Sequence, residues 1–176
     1  MSTALPIAYL GATMDFTLTQ DITGSVDQVE ATLTDSGFLA TMSDLPKIGS
    51  VEVLEQTRNG DTVHQRVRYL FTAELSGAVR RVVDPDKLTW IEDSTSDLAA
   101  HTASYRIDPD NYANLLEGAY DATITKTDRG ARRVATGHLK VHVPLVGGKV
   151  EKAIVEGLQE NSDAQAELIT AWIAKH

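Results

Sequence analysis

Apolar residues recur along the last third of the chain with the period of a helix. From Pro144 onward, Val150, Ile154, Leu158, Leu168 and Trp172 fall on one stripe, Ala153, Ile169 and Ile173 widen it, and Glu151, Lys152, Glu156, Glu160 and Glu167 take the wet side. The pattern predicts one helix of roughly 28 residues, about 42 Å long. That exceeds what closing a simple core requires, so the helix is expected to lie across a large sheet. The stripe has one irregularity. Between Leu158 and Leu168 the core-facing steps fall on Asn161, Ala164 and Gln165, with Gly157 just before them. Two readings stand side by side. Gly157 and the Asn161-Ser162 pair are poor helix residues and fit a break or a solvent-facing bend; small and polar residues in a core stripe also fit the lining of a cavity.

Upstream, the period changes to two. Phe16, Leu18, Gln20 and Ile22 alternate with Thr17, Thr19 and Asp21, which predicts a strand. Ser25 and Gln28 form a capping-box pair opening a short helix with Val26, Val29 and Leu33 inward. A second short helix is expected around Phe38 to Met42, ended by Pro46. A meander follows, with a hairpin at Asn59-Gly60 joining Val51 to Arg58 with Thr62 to Ala73. In the second of these strands Val63, Gln65, Val67, Tyr69 and Phe71 share one face, and His64, Arg66 and Arg68 the other, wet one. Ala78, Val79, Val82 and Val83 read as a short helical connection. Further strands are expected around Leu88 to Glu92, over His101 to Asp108, over Tyr120 to Thr127 and over Ala131 to Val143, the last with Leu139, Val141 and Val143 inward. The fold class is α+β: a seven-stranded curved antiparallel sheet gripping the long C-terminal helix, with two short helices after the first strand. A sheet wrapped around one helix encloses a volume that is either filled by side chains or open to a ligand.

Composition narrows the partners. The chain of 176 residues is 42% apolar and carries a formal charge of −9, and that mean field repels nucleic acid and anionic membrane. The tight basic runs are Arg80-Arg81 and Arg129 to Arg133. With no cysteine, disulfides and thiolate chemistry are excluded, which suits a cytoplasmic protein. Leu5 to Ala12 is apolar but lacks a basic leader and falls short of the roughly 20 residues of a membrane span. Residues 1–13 are expected to be a loose extension, with Met14 a possible native start, and residues 14–176 a single domain.

The element order from Met14 to Lys175 resembles the START-like, or SRPBCC, superfamily with its helix-grip fold. The block His142-Val143-Pro144-Leu145-Val146-Gly147-Gly148-Lys149-Val150-Glu151 and the terminal Ala171-Trp172-Ile173-Ala174 are similar to an uncharacterised bacterial family within it. The resemblance implies a cavity between sheet and helix that holds lipids, sterols or polyketides. Some relatives, including aromatase/cyclases, are enzymes, but no shared catalytic motif can be laid onto these residues.

Specific chemistry is otherwise sparse. His138 and His142 are four apart, but on a strand that separates them by about 13 Å, too far for one metal. Gly147-Gly148 lacks the remainder of a phosphate loop and reads as a tight strand-to-helix turn. No Gly-x-Ser-x-Gly element is present. Glu55, Glu92 and Asp93 are carboxylates that could enter a cavity, but a solvent-facing salt bridge or turn contact is the favoured role for each. The candidate ligand site is therefore Tyr69, Phe71, Trp90, Tyr105 and Leu139 from the sheet with Gly157, Leu158, Asn161 and Gln165 from the helix: an apolar lining with a few fixed polar groups. The expected function is non-catalytic binding of an apolar or amphipathic small molecule without cofactor or metal. The alternatives are a cyclase- or hydrolase-type enzyme using Tyr69, Tyr105 or an inward carboxylate, and an interaction module with a filled groove. A nucleic-acid partner and stable membrane insertion are not expected.

Overall fold

Seven strands form one antiparallel sheet in the order β1-β7-β6-β5-β4-β3-β2. The computed structural model describes residues 13–176 other than 73, 82 and 146. The expectations placed on the N-terminal extension, Ala73, Val82 and Val146 lie outside the described residues. The strands are β1 (Met14–Ile22), β2 (Ile48–Asn59), β3 (Thr62–Phe71), β4 (Thr89–Asp97), β5 (Thr102–Pro109), β6 (Leu116–Thr127) and β7 (Gly130–Val141). β2 to β7 run as a meander, and β7 closes onto β1 from Met14 opposite Leu139 to Ile22 opposite Ala131. The first two strands therefore lie at opposite edges. Their connection, α1 (Val26–Leu33) and α2 (Ser36–Thr41), has to cross the sheet, and a short 3₁₀ turn at Met42–Asp44 ends the crossing. Register shifts in β2 between Ile48 and Ser50 and between Val53 and Glu55 supply bulges that help curve this edge.

Local chemistry fixes the corners. Ser25 Oγ accepts the Gln28 N–H while Gln28 Oε1 accepts the Ser25 N–H, so both halves of the capping box form. Asp35 caps α2 through the Phe38 N–H at 2.9 Å. Gly60, with φ of 60°, turns the β2–β3 hairpin. The short connection α3 (Gly77–Arg80) buries Val79.

The long helix α4 (Gly147–Lys175) has 29 residues without interruption. Of the two readings of the irregular stripe, the break at Gly157 is absent: Gly157 is buried against Phe71 and Lys47 and its backbone stays helical. α4 packs along β1 and β7 and against α1. Ile169 is fully buried, and Trp172 meets Phe38 edge-on with centroids 5.6 Å apart. Two side chains depart from the expected stripe. Ala153 is exposed. Glu151 is buried and accepts the Val141 N–H at 2.8 Å, so a residue expected on the wet side ties the end of β7 to the first turns of α4. The core runs from Val29, Phe38 and Leu39 under α4 to Val67, Tyr69 and Ile124 on the sheet. No helix among the described residues is long and apolar enough to cross a membrane.

Candidate functional site

Strand alternation carries five polar side chains to the concave face, where α4 covers the sheet. Gln20 shares the inward face of β1 with Phe16 and Ile22 and is 2% exposed. Arg133 shares the inward face of β7 with Ala131 and Ala135, and Ala122 lies opposite Ala135 on β6. Those small neighbours leave room for a guanidinium, and Arg133 is 7% exposed. Glu92 of β4, Tyr105 of β5 and Tyr120 of β6 complete the group.

These side chains form a connected network. Tyr120 donates its hydroxyl to Glu92 Oε2 at 2.7 Å and stacks on Tyr105, with ring centroids 4.3 Å apart. Arg133 Cζ lies 5.4 Å from the centroid of the Tyr105 ring, within cation–π range. Arg133 Nη1 donates to Gln20 Oε1 at 3.0 Å. Gln20 Nε2 in turn donates to the Ser162 carbonyl at 2.7 Å and to Gln165 Oε1 at 3.0 Å, which anchors the middle of α4 to the sheet. Gln165 Nε2 reaches Met42 Sδ at 3.7 Å.

Burial sets the protonation of the network. It raises the Glu92 carboxyl above its ordinary value, and the Tyr120 hydroxyl and the Arg133 charge only partly offset that. It pushes Tyr69 and Tyr120 well above the usual phenol range, and Glu92 adds to both. Burial works against the Arg133 charge, but Tyr105, Tyr120 and Glu92 outweigh it and raise its pKa. Tyr69 and Tyr120 therefore keep their protons at neutral pH, and Tyr120 donates its own to Glu92.

Beside the network stands an aromatic wall. Tyr69 stacks on Trp90 at 5.3 Å between centroids, and Phe71 meets Trp90 edge-on at 6.3 Å. Gly157 of α4 faces this wall: a Cβ there would lie 3.9 Å from Phe71 and 3.7 Å from Lys47 Cδ, whose ammonium pairs with Glu160 at 2.9 Å. Asn161 and Gln165 follow Gly157 at successive helical turns on the same face. Three buried polar atoms, Trp90 Nε1 in the wall and Asn161 Oδ1 and Ser162 Oγ on α4, have no hydrogen-bond partner among the described residues. The expected site residues are thus brought together in two groups. Tyr69, Phe71, Trp90 and Gly157 make the wall, and Tyr105 and Gln165 join the polar network. Leu139 is fully buried in β7, and Leu158 is partly buried next to Gly157.

A hollow of about 20 Å³ opens at the network, lined by Arg133, Tyr105, Gln65, Leu33, Glu30 and His101 among others. A wider groove of about 310 Å³ lies on the outer face of the sheet, between Asp93 and His138. Asp93 points there and pairs with His64 at 2.9 Å, whereas Glu92 points inward, against the solvent role favoured from sequence. Glu55 is exposed. His138 and His142 are exposed, and His142 pairs with Glu117 at 2.8 Å. One group of potential metal-ligating atoms assembles among the described residues, from Asp27, Glu30 and His101, all within 4.8 Å of one another. In it His101 Nδ1 sits 2.9 Å from Glu30 Oε1, an ion pair that ties α1 to the β4–β5 turn.

A family profile described as "Protein of unknown function (DUF2505)" matches residues 17–173. The chain belongs to this family. No curated protein matches it. Solved structures similar to this DUF2505 protein share its START-like helix-grip fold. A Thermus thermophilus protein is 17% identical with a TM-score of 0.67, over 92% of this chain and 98% of its own. The Zhui aromatase/cyclase of a Streptomyces species is 17% identical with a TM-score of 0.62, over 93% and 94%. A START superfamily protein from Mycobacterium smegmatis is 12% identical with a TM-score of 0.58, over 94% and 99%. At such identities the likeness is one of fold.

Sequence reasoning missed most of the polar network in the DUF2505 chain. Arg133 falls in the basic run Arg129 to Arg133, yet it is buried while Arg129 and Arg132 are exposed, Arg132 pairing with Asp21 at 2.7 Å. The signal was present in the alternation: Ala131, Arg133, Ala135 and Leu139 share one parity, and Arg132 belongs to the other. Gln20 was visible on the apolar face of β1, but nothing in the sequence indicated that it would meet Arg133.

Proposed function

We propose that the protein binds an apolar or amphipathic small molecule between the concave sheet and α4. The observation that carries this reading is the set of unpartnered buried polar atoms, Trp90 Nε1 in the Tyr69–Trp90–Phe71 wall and Asn161 Oδ1 and Ser162 Oγ on α4. Polar groups buried without partners cost about 1–3 kcal/mol each, and a ligand bearing complementary groups removes that cost. An apolar wall with a few fixed polar groups is the usual character of a small-molecule site. The hollow of about 20 Å³ takes roughly one water. A ligand of a few hundred daltons therefore enters by displacing α4 or the side chains that pack beneath it. Burial of its apolar surface contributes about 25 cal/mol per Å² to offset that displacement.

Titration with phenylnaphthylamine, a neutral apolar dye, tests this reading through energy transfer from tryptophan. A saturable signal is expected from the native protein. Asn161→Leu and Gly157→Leu are expected to weaken it at least tenfold while circular dichroism still reports a folded chain. Undiminished binding in both folded variants would remove α4 from the site.

One observation favours a catalytic variant of this reading. Glu92 is a carboxyl raised by burial and held by Tyr120 inside the grip, which makes it the candidate proton donor for a cyclase-like reaction. The interaction-module reading draws less support, since Leu145 is the large apolar residue fully exposed among the described residues and it stands alone.

A further inference from the structure

Among the described residues, Arg133 is a buried cation without a counter-ion. The ion pairs of these residues engage Arg66, Arg68, Arg106 and Arg132, and none engages Arg133. A guanidinium carries five N–H donors in a planar fork suited to a two-oxygen anion. That of Arg133 donates at 3.0 Å to Gln20 Oε1, which is neutral, and the Tyr105 hydroxyl is a second partner of the guanidinium. Two carboxyl groups lie in the neighbourhood and neither forms a close ion pair with it, Glu92 contributing attraction from a longer distance. Glu92 Oε2 is taken by the Tyr120 hydroxyl at 2.7 Å. Glu30 lines the same hollow as Arg133 but is taken by His101 at 2.9 Å. Buried charges in proteins are normally paired, because an unpaired one loses its hydration with nothing in return. The hollow against Arg133 holds roughly one water, so an acid group reaches the guanidinium as the side chains lining that hollow move apart.

We infer that the ligand ends in an ionised acid group, a carboxylate or equivalent oxyanion, seated against Arg133, with its apolar body along the Tyr69–Trp90 wall. This inference rests on the binding reading above and adds the chemical class of the ligand. Tyr105 flanks the guanidinium, and the stacked Tyr120 hydroxyl holds Glu92 so that its carboxyl does not compete for the site. The mean charge of −9 opposes anions at long range, so the head group gains its affinity from contact with Arg133 in a low-dielectric interior.

Two matched pairs test this by calorimetry on the full chain at neutral pH: dodecanoate against dodecanol, and naphthoate against naphthalenemethanol. At least one acid is expected to bind ten or more times tighter than its alcohol. In Arg133→Gln that preference falls to within twofold, and in Arg133→Lys, which keeps the charge but not the fork, part of it remains. Thermal melts establish that each variant is folded, and the acid-against-alcohol comparison in the native protein stands without any variant. If acids and alcohols bind equally well, the binding reading holds and the anionic head group is refuted. If no member of either pair binds, both fall together.

Discussion

Replacing Tyr120 by Phe removes one hydroxyl and leaves the stacked ring in place. That hydroxyl donates to Glu92 Oε2 at 2.7 Å, in the short range of O–H bonds to an ionised oxygen. Burial raises the Glu92 carboxyl above its ordinary 4.5, and the Tyr120 bond is the largest influence in the opposite direction. A carboxyl raised in the fold keeps its proton longer folded than unfolded. Its stabilising contribution is therefore complete below about 4.5 and is lost as pH rises through the folded value. Without the hydroxyl the folded value climbs further, and the loss grows. A hydrogen bond to a neutral acceptor contributes about 0.5–1.5 kcal/mol and one to a charged acceptor about 1.5–3. Tyr120→Phe should therefore cost about 1 kcal/mol at pH 4 and about 2 kcal/mol at pH 8. For a chain of this size 1 kcal/mol moves Tm by about 2–4 °C, so the deficit should widen by about that much from acid to mildly basic pH. Melts of both proteins by circular dichroism across that range measure it, and in a Glu92→Gln background the pH dependence of the deficit should vanish. A deficit equal at every pH would refute the account of Glu92 as a buried, raised carboxyl held by Tyr120.

Other substitutions probe the frame of the site. Gly157→Ala should raise Tm by about 2–4 °C, because alanine is about 1 kcal/mol better in a helix and its Cβ meets Lys47 Cδ at an ordinary 3.7 Å; a lower Tm would contradict the open space seen at that face. Gly137→Ala should cost about 1–3 kcal/mol or prevent folding, since its Cβ would clash with the Ala119 carbonyl and Tyr120 Cβ; a stable variant would show that β6 and β7 are packed differently. Glu151→Leu strands the Val141 N–H and should cost about 1–3 kcal/mol, with faster hydrogen exchange at that amide; unchanged exchange would break the proposed tie between β7 and α4.

The architecture was largely legible because each signal in it is local. Alternation marks the strands, Asn59-Gly60 marks the hairpin, Ser25 and Gln28 mark α1, and the long apolar stripe marks α4. The arrangement of the candidate site was legible chiefly on its apolar side, with Tyr105 and Gln165 the expected members of the polar network. Tyr69, Phe71, Trp90 and Gly157 were identified because inward aromatics and a glycine in a core stripe are visible one element at a time. The polar network escaped because it is made by register between strands far apart in sequence. Gln20 lies opposite Arg133 only once β1 has closed onto β7. Likewise Glu92 reaches Tyr120 across β5, a contact that no spacing along the chain announces. Glu151 misled for a related reason: its helical position reads as wet until the end of β7 is brought against it.

The most direct test of the account compares the mass of the purified protein under native and denaturing conditions and extracts whatever separates. A reproducible extra mass of a few hundred daltons, lost on denaturation and carrying an acid group on an apolar body, is the predicted result. A native mass equal to that of the bare chain, persisting after incubation with the acids that calorimetry would test, would contradict it.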